Sequence, residues 1–213
     1  MGLLNHRYLA GVRIIIAVSI LLTLSGFHQK PVKTILFLGD SLTAGYGLSP
    51  DQAFPALAES MLKKKGKAVK VINSGISGET TAGGLARIDW VLKQPVDILF
   101  LELGGNDGLR GLPVTETEKN LQAIINKVKA KNSGVKIVLA GMMVPPNMGE
   151  DYSRKFEKVF ISLAAKNKCT RIPFLLEGVG GIEKLNQADG IHPTAEGHRI
   201  IANTVVKTLE PLL

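Results

Sequence analysis

The chain has 213 residues, 45% of them hydrophobic and 21% charged, with a formal charge of +8, a length and balance that suit one globular domain with a full core. A 5% aromatic content without a nucleic-acid-binding motif argues against nucleic acid as partner. A single cysteine, Cys169, excludes an internal disulfide and a four-cysteine metal site.

Residues 1–13 carry Arg7 and Arg13 and no acid, and Ile14–Leu24 is an apolar run of eleven residues. Thr23 and Ser25 then stand at the −3 and −1 positions of a cleavage site. This charged, apolar, small order is that of a secretory signal over residues 1–26, placing the protein in the periplasm or outside the cell. The run is short of the roughly 20 apolar residues of a membrane span. The alternative is an uncleaved anchor reaching from residue 9 to 26. Phe27 stands where a lipidated cysteine would follow Leu24-Ser25-Gly26, which argues against lipidation.

Residues 27–213 then read as one domain in which strand and helix signals alternate. Thr34–Leu38, Val96–Leu103 and Val135–Ala140 are dense apolar runs of strand length, whereas Val69-Lys70-Val71 alternates. A fifth strand near Thr170–Phe174 contains Pro173, which suits an edge. Phe54, Leu57, Ala58, Met61 and Leu62 form a helical stripe that ends in the lysine run 63–67, read as a solvated helix end. Leu121, Ile124, Ile125 and Val128 form a second stripe, behind a Thr115–Glu118 capping box. Tyr152, Phe156, Val159, Phe160 and Leu163 form a third; Ile201, Val205 and Leu209 mark the last helix, with His198 read as helix surface. Alternation of this kind predicts a three-layer αβα domain around a five-stranded parallel sheet. The most apolar strands belong inside, which gives the flavodoxin-like order 2-1-3-4-5.

The polar motifs fall at one edge of that sheet. Gly39-Asp40-Ser41-Leu42 follows strand 1, and Asn73 to Thr80, with Gly75 and Gly78, follows strand 2. Gly104-Gly105-Asn106-Asp107 follows strand 3, and Asp189-Gly190-Ile191-His192-Pro193 precedes the last helix. Each type has a part in acyl transfer. A serine hydroxyl needs an adjacent base, which His192 can supply near neutral pH. Asp189, three residues earlier, can hold one ring nitrogen and fix the tautomer. The oxyanion needs donors, and Ser41 N–H, Gly78 N–H and the Asn106 amide are the candidates. Asp40 and Asp107 read as loop hydrogen-bonding residues and Glu102 as a buried, paired acid without an assigned role.

These four blocks resemble those of the SGNH (GDSL) hydrolases, in this order, over about residues 34–213. The family's serine, glycine, asparagine, aspartate and histidine match Ser41, Gly78, Asn106, Asp189 and His192. Glu102 to Gly111 is especially similar to the bacterial periplasmic thioesterase/arylesterase/lysophospholipase subgroup. The resemblance implies hydrolysis of esters and thioesters without a cofactor, on a small-molecule or lipid substrate that brings transient contact with a membrane surface. It also implies an apolar acyl groove, for which Leu109, Leu112, Met142, Met143, Val144, Pro145 and Ile191 are candidate lining residues. A carbohydrate O-deacetylase on the same fold is the alternative activity. A nucleotide- or flavin-binding module is the rival of another class. Against it, the glycine-rich stretch Gly39–Gly47 lacks both Gly-Lys-Ser/Thr and Gly-x-Gly-x-x-Gly. An α/β-hydrolase elbow would need glycine where Thr43 stands.

Overall fold

A computed structural model describes residues 31–213; the expected export segment, residues 1–26, lies outside the described residues. Five strands pair in parallel: β1 (Lys33–Gly39), β2 (Val69–Gly75), β3 (Ile98–Glu102), β4 (Lys136–Ala140) and β5 (Thr170–Ile172). Their order is β2-β1-β3-β4-β5, as the apolar ranking of the strands predicts. Burial explains the order. All of Ile35–Leu38 and Ile98–Leu101 are fully or almost fully buried, as strands covered on both faces must be. β2 exposes Lys70, and β5 is three residues long, stopped by Pro173.

The helices are α1 (Ser41–Ala44), α2 (Phe54–Lys64), α3 (Thr81–Val91), α4 (Gly105–Leu109), α5 (Val114–Lys131), α6 (Glu150–Asn167) and α7 (Ala195–Leu209). α2 packs against α7 on one side of the sheet, while α3, α5 and α6 pack side by side in the other layer. Phe54 of α2 meets Phe37 and Phe100 edge-on or tilted, with ring centroids 5.7 and 6.0 Å apart, so one aromatic cluster joins helix and sheet. The lysine run is the exposed end of α2, where Lys63 and Lys64 complement the helix dipole. Among the described residues, no helix is long and apolar enough to cross a membrane.

Two local expectations need correction, and one helix is absent from the sequence reading. α5 begins at Val114 with Pro113 as its cap and no side-chain capping bond, so the Thr115–Glu118 box does not form; the cap lies two residues earlier than expected. His198 is not surface: it is 1% exposed, and its Nδ1 accepts the Phe54 N–H at 3.1 Å, capping the start of α2 from α7. α3 has no counterpart among the sequence stripes. Its Gly83-Gly84 pair interrupts the apolar pattern, and Gly84 is required by contact, since a Cβ there would come within 2.3 Å of Leu103. Cys169 is half-buried just before β5, and burial pushes its thiol pKa up, which makes it a poor nucleophile.

Candidate active site

The strand ends set the site. Gly39, the last residue of β1, is level with Gly75 of β2 and Glu102 of β3, so the loops after three adjacent strands leave the sheet at one height. Strand order reverses across β1 and β3, which opens a crevice there. Asp40 caps α1: its Oδ1 accepts the Leu42 N–H at 3.0 Å and turns the chain so that Ser41 opens the helix. No Cβ fits at Gly75, where it would lie 2.2 Å from the Ala44 backbone nitrogen, so β2 closes directly onto the α1 turn.

Ser41 and His192 are 151 residues apart in sequence, yet the Ser41 hydroxyl lies 2.9 Å from His192 Nε2. On the other side of the ring, Nδ1 lies 2.7 Å from Asp189 Oδ2. Asp189 Oδ1 accepts the backbone N–H groups of Ile191 and His192, both at 3.0 Å, which folds the four residues into a tight turn with Gly190 at φ +74°. These bonds, that from the imidazole first, hold the Asp189 carboxyl down at a pKa of about 2. The carboxylate is therefore ionised at neutral pH, and the proton of a neutral imidazole sits on Nδ1. Nε2 is left to accept from Ser41. Gln187 secures the loop by donating to Tyr46 O and Pro193 O, at 2.7 and 3.0 Å.

The other two motifs meet this group through shared partners. Asn106 Nδ2 donates to Asp40 Oδ2 and to Glu79 O, each at 3.0 Å, joining the loop after β3 to those after β1 and β2. Gly78 sits one residue before Glu79 in a left-handed conformation (φ +77°) that favours glycine. Among the described residues, neither the Ser41 N–H nor the Gly78 N–H has a protein acceptor. Arg87 of α3 braces this turn from below: it pairs with the buried Glu79 carboxylate through two nitrogens and also donates to Ser74 O. Asp107 is buried and caps α3 by accepting the Thr81 N–H at 2.8 Å, so it is structural, as its sequence position suggests.

The candidate groove residues divide. Leu109, Met143 and Ile191 are each about half exposed, at 46%, 47% and 47%, and Pro145 is exposed. Leu112 and Val144 are half-buried. Met142 is 4% exposed, packed in the core beneath Gly105, and offers a ligand no surface. Position 142 directly follows strand β4 and Gly141, so its apolar character reports packing. Sequence reasoning missed Tyr46, whose half-exposed ring lies against the His192 ring with centroids 4.5 Å apart, and the exposed Ile76. Isolated aromatic and aliphatic residues in loops carry no periodic signal; only the flanking Gly45 and Gly47 mark the Tyr46 turn.

Comparison with known proteins shows the family. Residues 37–200 match the model of the GDSL-like Lipase/Acylhydrolase family. The chain belongs to that family. Within the GDSL-like family it is 41% identical over 187 residues to Esterase TesA of Pseudomonas aeruginosa, covering 87% of this chain and 92% of that one. It is 39% identical over 194 residues to Thioesterase 1/protease 1/lysophospholipase L1 of Escherichia coli, covering 90% of each. The crystal structure of the esterase EstA from Pseudoalteromonas sp., inhibited by monoethylphosphonate, superposes with a TM-score of 0.80 at 32% identity, over 84% of this chain and 98% of that one. As a member of the GDSL-like family with such relatives, the chain is a hydrolase acting on ester bonds.

Proposed function

We propose that the protein hydrolyses acyl esters and thioesters through a covalent acyl-enzyme on Ser41. The observation that carries this reading is the unbroken pair of contacts from Ser41 Oγ to His192 Nε2 (2.9 Å) and from Nδ1 to Asp189 (2.7 Å). Ser41 Oγ attacks the carbonyl carbon as its proton passes to Nε2; Asp189 keeps its charge and stabilises the imidazolium. The carbonyl oxygen becomes an oxyanion facing the two unengaged N–H groups of Ser41 and Gly78. Asn106 adds an amide proton drawn from one of its present acceptors. Collapse of the intermediate expels the alcohol or thiol, which takes the proton from Nε2. A water molecule, deprotonated by His192, then attacks the acyl-enzyme, releases the carboxylic acid and restores Ser41. Tyr46, Ile76, Leu109, Met143 and Ile191 are apolar, exposed, and carried by the same segments as Ser41, Gly78, Asn106 and His192 or by the one after β4, which suits an acyl chain at the surface of the molecule.

Ser41→Ala is expected to lower kcat on a short-chain nitrophenyl ester by about 10⁴-fold or more, with an unchanged circular dichroism spectrum. Retained turnover in a folded variant would remove Ser41 from the reaction.

We further propose export, on the strength of the charged, apolar and small segments of residues 1–26. N-terminal sequencing of protein recovered from the periplasm or medium should begin within a few residues after Ser25. Intact chain recovered only from cytosol would contradict export.

A further inference from the structure

We infer that Arg110 forms an anion subsite beside the ester-binding position, selecting substrates that carry a phosphate or carboxylate near the scissile bond. Arg110 closes α4, its N–H bonding to Asn106 O at 3.1 Å, so its position is fixed one turn after the Asn106 amide. Its Nη2 donates to Gly78 O at 2.9 Å. The same nitrogen is the one atom within 4 Å of the open side of Gly78, 3.7 Å from where a Cβ would stand. The guanidinium therefore lies against Gly78, while the Arg110 backbone is bonded to Asn106, the two loop residues that are proposed to meet the oxyanion.

Its charge is uncompensated. Arg87, Arg154 and Arg199 pair with Glu79, Asp151 and Glu196, whereas Arg110 meets no carboxylate among the described residues. One of five guanidinium donors is used, on a neutral carbonyl, and the side chain is exposed. A planar fork with free donors is matched by the paired oxygens of a phosphate or carboxylate. In a glyceryl ester bearing phosphate, three carbons separate the ester oxygen from the phosphate oxygen, a spacing that keeps the anion close to the carbonyl. If the side chain served only to staple the Gly78 loop to α4, it would act on all substrates alike.

The inference rests on the acyl-transfer reading, and the test separates the two. In the intact protein, kcat/KM is measured for two matched pairs: 1-octanoylglycerol-3-phosphate against 1-octanoylglycerol, and the nitrophenyl hemiester of succinate against nitrophenyl butyrate. Ser41→Ala should abolish turnover of all four; activity there would defeat the acyl-transfer reading itself. Arg110→Gln keeps a donor for Gly78 O and removes the charge. The expected result is a fall of about tenfold in the anionic-to-neutral ratio for one pair, the worth of one charge-assisted hydrogen bond. The loss should lie in KM, and the wild-type ratio should decline as salt rises. A change in the phosphate pair places the subsite on the leaving-group side, and one in the succinate pair places it on the acyl side. Equal loss within both pairs, or ratios unmoved in both, would overturn the assignment.

Discussion

Beneath the serine lie two carboxyl groups that the acyl-transfer steps do not use. Glu102 is wholly buried at the end of β3; its Oε2 accepts the Asp40 N–H at 3.1 Å and the Thr43 hydroxyl at 2.7 Å, while Oε1 has no partner among the described residues. Burial, then the neighbouring Asp40 charge, raises the Glu102 pKa well above 4.5, and burial lifts Asp40 to about 6. Glu102 is thus the member held neutral, leaving Asp40 to carry the charge that orients Asn106. A raised carboxyl keeps a proton that the unfolded chain has lost, so its contribution to stability is greatest at low pH. That contribution declines as pH rises from 3.8 through about 6 for Asp40, and from 4.5 upward for Glu102. Asp189 runs the other way: its contribution is present above 3.8 and is lost as pH falls through about 2. Glu102→Gln keeps an acceptor for Asp40 and Thr43 without the titration. Its urea midpoint should therefore fall less than the wild-type midpoint between about pH 5 and about pH 8. Equal slopes for the two proteins would contradict a neutral Glu102.

At the scale of elements, what was legible in the sequence was what periodicity can carry. The long apolar stripes of α2, α5, α6 and α7 are visible because they follow the 3.6 spacing; β1, β3 and β4 are visible as unbroken apolar runs, because they are covered on both faces. α3 was not legible, since its packing face is built partly from Gly84, where the absence of a side chain makes the contact. His198 failed for a related reason. A lone imidazole on a helix face looks solvated until the start of α2 is seen to need an acceptor, and only the packing of α7 against α2 supplies it. There burial holds the ring neutral, with its pKa lowered to about 4. Its share of stability is therefore full above 6.5 and is lost as pH falls toward 4.

At the scale of the whole molecule, the sheet turns four short, distant motifs into one site. The order β2-β1-β3 brings Gly39, Gly75 and Glu102 level, and the loops that follow carry Ser41, Gly78 and Asn106. The residues of those motifs were legible because their chemistry is stated by type and spacing. The contacts that hold them were not: the Arg87–Glu79 brace, the Tyr46 ring on His192 and the Arg110 bond to Gly78 join residues through space with no pattern along the chain. The account as a whole depends on Ser41 being the group made reactive by His192 and Asp189. Treating the protein with an alkyl fluorophosphonate and mapping the adduct by peptide mass spectrometry tests this most directly. One phosphonyl group should be found on Ser41, with activity lost in proportion; an adduct on a different serine, or full activity with Ser41 modified, would contradict it.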